Sequence, residues 1–272
     1  RERSESNLSK WIARAAMASV MCSVVSVAGS GIFLGAAISL WLIQVLTTGR
    51  LQLRTPPFGK VLLLFMAMVM VSIVFSTDPI FSLLYVKTFI RFALVIFIFT
   101  YFTRDQVEWT LKGTLLLIAL SALLGIVQFY WLFDVDLLNR IRGFMSHWMT
   151  FSGQLMMGII ALSGLILAPS TFGDGDPPDS REKDLSRSSR WFWAGVLVLL
   201  GGALLLTFTR NAWLGTLSGL FCWLLILRRR WIIPLAMVLM AFFFLLPGSF
   251  QGRVLDGFNP SDPTTRTRIE LL

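Results

Sequence analysis

The chain has 272 residues, of which 56% are hydrophobic and only 14% charged, whereas ordinary soluble domains carry about 25% charged residues. Its mean hydropathy is +0.73, and a water-soluble core cannot hide that much apolar surface, which argues against a soluble enzyme. The net charge of +9 does not point to nucleic acid either, because the basic residues are scattered between apolar runs instead of forming one basic patch.

Apolar runs of roughly 17 to 20 residues recur from end to end, the length a helix needs to cross a hydrocarbon core of about 30 Å. They predict an all-α, polytopic transmembrane helical bundle of about nine spans, near 12–28, 31–47, 61–76, 81–102, 111–133, 149–168, 191–208, 212–227 and 231–247. The basic residues Arg1, Arg3, Lys10 and Arg14 precede the first run as in a signal peptide, but further spans follow and a retained helix is expected. The first two runs are short and joined by Gly29-Ser30-Gly31, so two helices and one broken or re-entrant hairpin are both open. Cys22 and Cys222 lie alone inside apolar runs and read as buried packing residues, without a disulfide or metal frame.

With the N-terminus in the cytoplasm, sixteen of the twenty-four basic residues fall on that side. They include Arg50, Arg54, Lys60, Arg104, Lys112 and the run Arg228, Arg229 and Arg230. The positive-inside rule selects this orientation. One membrane domain, 1–247, is expected, followed by a short outer segment, 248–272. The stretch 169–190, with Gly-Asp-Gly-Asp-Pro-Pro-Asp-Ser followed by mixed charges, reads as a cytoplasmic linker.

Several cations are not explained by topology. Lys87 and Arg91 fall within the fourth predicted span, and each costs about 2.5 to 3.5 kcal/mol at the centre of a bilayer on insertion scales. At i and i+4 of an α-helix they share a face, about 9 to 15 Å below the outer surface, a depth that suits an anion-filled cavity as well as snorkelling. Arg210 stands in the outer turn Thr207-Phe208-Thr209-Arg210-Asn211, where a guanidinium can grip a phosphate bidentately and the next helix can aim its N–H groups at the same ligand. An interfacial arginine on lipid headgroups is the alternative. Arg140 and Arg142 flank Ile141 in the loop before Gly143, and the only histidine, His147, follows. With no acid or nucleophile at a telling spacing, His147 suits an interfacial structural role better than catalysis and stays a secondary candidate. Every Asp and Glu lies in a predicted loop, terminus or cap, which disfavours an ion-coupled transporter.

Ordered along the chain are Ser76-Thr77-Asp78-Pro79, Gly125-Ile126-Val127-Gln128, Arg142-Gly143 with Thr150-Phe151, and Leu206-Thr207-Phe208-Thr209-Arg210-Asn211-Ala212-Trp213-Leu214-Gly215. Arg228-Arg229-Arg230 and Pro263-Thr264-Thr265-Arg266-Thr267-Arg268 follow. This series resembles the O-antigen ligase and polymerase superfamily of membrane glycan enzymes, and the segment around Arg210 is its most specific part. The resemblance implies a glycosyltransferase that takes a glycan from an undecaprenyl-diphosphate carrier to lipid A core oligosaccharide at the periplasmic face. It implies that Arg210 and Arg268 bracket the diphosphate, with Lys87, Arg91 and Arg142 as further contacts and Arg266 as the secondary alternative to Arg268; Arg140 is a secondary candidate from its place in the outer loop, where it adds positive potential. The family's catalytic histidine sits in a large periplasmic loop, which His147 does not match. The chain is therefore expected to be the amino-terminal part of such an enzyme, ending before that loop.

No cofactor and no metal are expected, since cations can stabilise the leaving diphosphate without one. The expected partners are the lipid-linked glycan, its acceptor and membrane lipid, with no nucleic acid. A polymerase of the same superfamily, a transporter or flippase of an anionic lipid-linked substrate, and a noncatalytic membrane subunit are the competing readings.

Overall fold

A computed structural model describes residues 7–49, 53–54, 56–132, 140–167 and 187–227. The ninth predicted span, the segment 248–272 and nearly all of the linker 169–190 lie outside the described residues. The described residues are helical and contain no strand. They form α1 (Asn7–Cys22), α2 (Val27–Thr48), α3 (Gly59–Val74), α4 (Pro79–Tyr85), a 3-10 segment (Val86–Phe92), α5 (Ala93–Tyr101), α6 (Arg104–Val127), a π-helical turn (Gln128–Leu132), α7 (Trp148–Leu167), α8 (Arg187–Leu206) and α9 (Arg210–Leu227). Among the described residues three helices are long and apolar enough to cross a membrane: Val27–Thr48, Arg104–Trp131 and Trp148–Ile166. Gly59–Val74, Phe89–Tyr101 and Trp191–Leu206 are shorter apolar helices. Large apolar side chains face outward on many elements, with Phe75 84% and Leu46 82% exposed, a surface that suits lipid and not water. The chain divides into two compact units, Arg1–Thr114 and Leu115–Leu272.

In the first unit, α1 and α2 are separate helices, and the chain breaks at Ser23–Ser26 instead of at the glycines. Ser26 is the reason. Its backbone is extended and its Oγ accepts from Gly29 N at 3.1 Å, so it caps α2 and draws Gly29-Ser30-Gly31 into the helix. Ser19 Oγ then donates to Ser30 O at 2.8 Å, tying the two helices at their buried small residues. Ala16, Leu34, Ala37 and Phe97 form the buried core between α1, α2 and α5. A polar node sits beside it: Gln44, 6% exposed, donates to Ser9 Oγ and accepts from Tyr101 OH, each at 3.0 Å. α4 and α6 start on local signals as well. Asp78 Oδ1 accepts from Phe81 N at 3.0 Å ahead of Pro79, and Thr103 and Gln106 exchange side-chain to backbone bonds as a capping box.

The fourth predicted span is not one α-helix. Its middle, which carries Lys87 and Arg91, is 3-10. In that geometry residues i and i+3 eclipse, and Phe89 and Phe92 stack with their planes 14° apart and their centroids 6.0 Å apart. Phe65 of α3 packs on both rings, at 6.0 and 5.9 Å. Four residues of 3-10 turn leave positions 87 and 91 about 120° apart, so the shared face expected of an α-helix is absent.

In the second unit each helix buries one stripe: Phe151, Leu155, Ile159 and Leu162 on α7, and Trp193, Val196, Leu200 and Ala203 on α8. The pairs Gly125 with Phe151 and Ile118 with Gly158 set α6 and α7 antiparallel. The pairs Met156 with Gly215, Ile160 with Gly219 and Gly164 with Trp223 keep one constant register, so α7 and α9 run parallel along a Gly-x-x-x-Gly ridge. The Trp223 indole also donates to Ile160 O at 3.1 Å. A methyl at Gly164 would lie 2.9 Å from Trp223 Cε2, in a rigid ring. At Gly215 it meets the flexible Met156 thioether. Gly164→Ala is thus expected to cost about 1–3 kcal/mol, and Gly215→Ala less. Thermal unfolding of the two variants in detergent, side by side, checks the order, and a Gly164→Ala variant as stable as the parent contradicts the register.

Both cysteines depart from the buried reading. Cys222 is exposed and Cys22 half-buried, because an apolar run bordering lipid need not be buried in protein.

Candidate functional site

The loop between α6 and α7 and the turn between α8 and α9 lie at one end of the second unit. The turn is built first by its own sequence. Leu204 O, near the C-terminus of α8, receives Thr207 N at 3.2 Å, Thr207 Oγ1 at 2.7 Å and the Trp213 indole N–H at 3.0 Å. These donors satisfy a carbonyl that a helix end leaves open. Phe208 then reverses the chain at φ +50, a left-handed conformation that costs a non-glycine residue about 1–2 kcal/mol. Burial of its ring to 3% exposure, 6.5 Å from Phe129, offsets that cost. Thr209 O accepts from Ala212 N and Trp213 N and so opens α9. Arg210 is the first residue of that helix. It is half-buried, with its Nη1 atom covered, and it sits where the helix dipole is positive.

The loop is held by two polar side chains of α6 and its π turn. Gln128 Oε1 accepts from Gly143 N at 3.1 Å and Arg142 N at 3.3 Å, while its Nε2 donates to Gly143 O at 3.0 Å. Ser121 Oγ accepts from Phe144 N at 3.1 Å. Gly143 lies at φ +56 in this clamp. Arg142 is exposed beside it.

Arg140 and His147 both meet Trp148. The Arg140 guanidinium carbon lies 5.3 Å from the indole centroid, and the His147 ring stacks on the indole at 4.1 Å. His147 Nδ1 accepts from Met149 N at 3.2 Å, which caps α7. That bond occupies Nδ1 and leaves Nε2 as the other ring nitrogen.

Of the expected site residues, Arg142 and Arg210 thus belong to one unit and share one end of it, with Arg140 and His147 in the same loop. Lys87 and Arg91 belong to the first unit; Arg91 is exposed, and the Lys87 side chain lies outside the described part. Arg266 and Arg268 lie outside the described residues. Gln128 and Phe129 were not among the expected site residues, although Gln128 closes the Gly125-Ile126-Val127-Gln128 segment. A lone amide near the end of an apolar span was the available signal. Among the described residues no group of three His, Cys, Asp or Glu side chains is placed to hold a metal ion. The chain matches no family model, no curated protein and no solved structure.

Proposed function

We propose that this protein crosses a bacterial inner membrane about nine times, with its N-terminus in the cytoplasm, and acts as a glycosyltransferase of the O-antigen ligase type. It takes a glycan from an undecaprenyl-diphosphate carrier to lipid A core oligosaccharide at the periplasmic face. The observation that carries this reading is the meeting of the Arg142 loop and the Arg210 turn at one end of the second unit, through Gln128 and the Phe129–Phe208 contact. Two guanidinium groups and a helix N-terminus at one end form a cationic surface suited to a diphosphate.

In the reaction the acceptor hydroxyl oxygen bonds to the anomeric carbon of the donor sugar as the bond from that carbon to the phosphate oxygen breaks. The electron pair stays with the lipid diphosphate. Arg210 and Arg142 stabilise the charge that develops there, with Arg268 as the further arginine of the proposal. A base takes the proton of the acceptor hydroxyl.

Complementation tests the reading. The complete reading frame, expressed in a strain lacking its O-antigen ligase, is expected to restore the ladder of O-antigen on lipid A core. Preformed polymer left on the lipid carrier, with no ladder, contradicts ligation, and growth of single repeats into polymer identifies a polymerase instead.

A further inference from the structure

We propose that Gln128, with the π-helical turn it opens, is the positioning residue of this cationic end: it fixes Arg142 against Arg210. The proposal rests on the reading of that end as a lipid-diphosphate site. The Gln128 amide pairs with Gly143 as one peptide group pairs with another, donating to its carbonyl at 3.0 Å and accepting from its N–H at 3.1 Å. The same Oε1 takes the Arg142 N–H at 3.3 Å. Both backbone amides that determine where the Arg142 side chain starts are thereby tied to one side chain. The next residue, Phe129, is 5% exposed and holds Phe208 of the other turn, two residues before Arg210. Neighbouring residues of one turn thus grip the two arginine-bearing segments separately.

That turn is π-helical from Gln128 to Leu132, a rare geometry that recurs at functional sites. α6 could have ended at Val127 without it. With it, one turn holds the two segments that carry Arg142 and Arg210, and two-point recognition of a diphosphate depends on where those segments are held. Misplacement by about 1 Å is enough to cost a positioned contact about a hundredfold. Gln128 itself touches no substrate in this scheme; it acts through Arg142.

Action through Arg142 is what a double-mutant cycle detects. The full-length protein in detergent is titrated with undecaprenyl diphosphate as the wild type, Gln128→Ala, Arg142→Ala and the double variant. Each single change is expected to weaken binding about tenfold, the scale of one hydrogen bond to a charged group, and the double variant is expected to bind no more weakly than Arg142→Ala. Multiplying losses overturn the proposal, as does an unchanged affinity in Gln128→Ala.

Hydrogen exchange of the 140–147 segment is the second measurement. Gln128→Ala is expected to speed exchange at the Arg142 and Gly143 amides. Gln128→Glu replaces the donor to Gly143 O with a carboxylate oxygen 3.0 Å from that carbonyl, is expected to speed exchange as well, and serves if the alanine variant does not fold. Unaltered exchange in the variant that folds counts against the clamp. A wild-type protein that binds no undecaprenyl diphosphate defeats the functional reading, and exchange then decides the clamp alone.

Discussion

Replacing Gly143 with alanine is expected to destabilise the second unit by about 3 kcal/mol, the sum of two effects that fall on one atom. At φ +56 an L-residue loses about 1–2 kcal/mol to the contact of its Cβ with the backbone. That Cβ also has nowhere to go. It would lie 2.7 Å from Phe151 Cε2 and 2.8 Å from Ser121 O, with Ser121 Oγ closer still. Phe151 is fully buried and the Ser121 carbonyl belongs to the α6 backbone, so neither yields cheaply, and overpacking of this kind costs about 1–3 kcal/mol. Thermal unfolding in detergent reads the variant, and a Gly143→Ala melting point equal to the parent's contradicts the loop geometry.

Arg210→Ala is expected to reduce glycan transfer at least a hundredfold, the scale on which one donor to a developing anion acts. Arg210→Lys should restore little, since a lysine presents a point charge in place of the planar fork that holds two phosphate oxygens at once. The bonds that build the turn run through Thr207, Thr209 and Trp213 to the carbonyls of Leu204 and Thr207. The melting point of the alanine variant is read beside the ladder. The ladder assay and the melt together separate the possibilities: lost ladder with an intact fold supports the phosphate clamp, and an unchanged ladder rejects it.

The parts of this architecture legible in the amino-acid order are those governed by long apolar runs. α7, α8 and α9 begin and end within a few residues of the runs 149–168, 191–208 and 212–227, because nothing inside those runs competes with a helix. The first region defeated hydropathy, since a serine cap at Ser26 outweighs two glycines and a hydropathy profile does not register a cap. The fourth run defeated it for a different reason. The stacked Phe89 and Phe92, clasped by Phe65, favour 3-10 geometry through tertiary contact, which no local pattern encodes. At the site, Arg142 and Arg210 stood out as charges in apolar surroundings. Gln128 did not, because a neutral amide is inconspicuous in sequence and its importance lies in three bonds to a loop fourteen and fifteen residues away.

The Gln44 node bears on the order in which the first unit can assemble. Its two side-chain partners sit on different helices, Ser9 35 residues before it and Tyr101 57 residues after it. A buried amide left half-satisfied is costly in an apolar medium. When α2 leaves the ribosome, only the donor side of that amide can be met, and the acceptor waits until α3, α4 and α5 have followed. The α1–α2 pair therefore carries a side-chain carbonyl whose partner, the Tyr101 hydroxyl, is supplied only by α5.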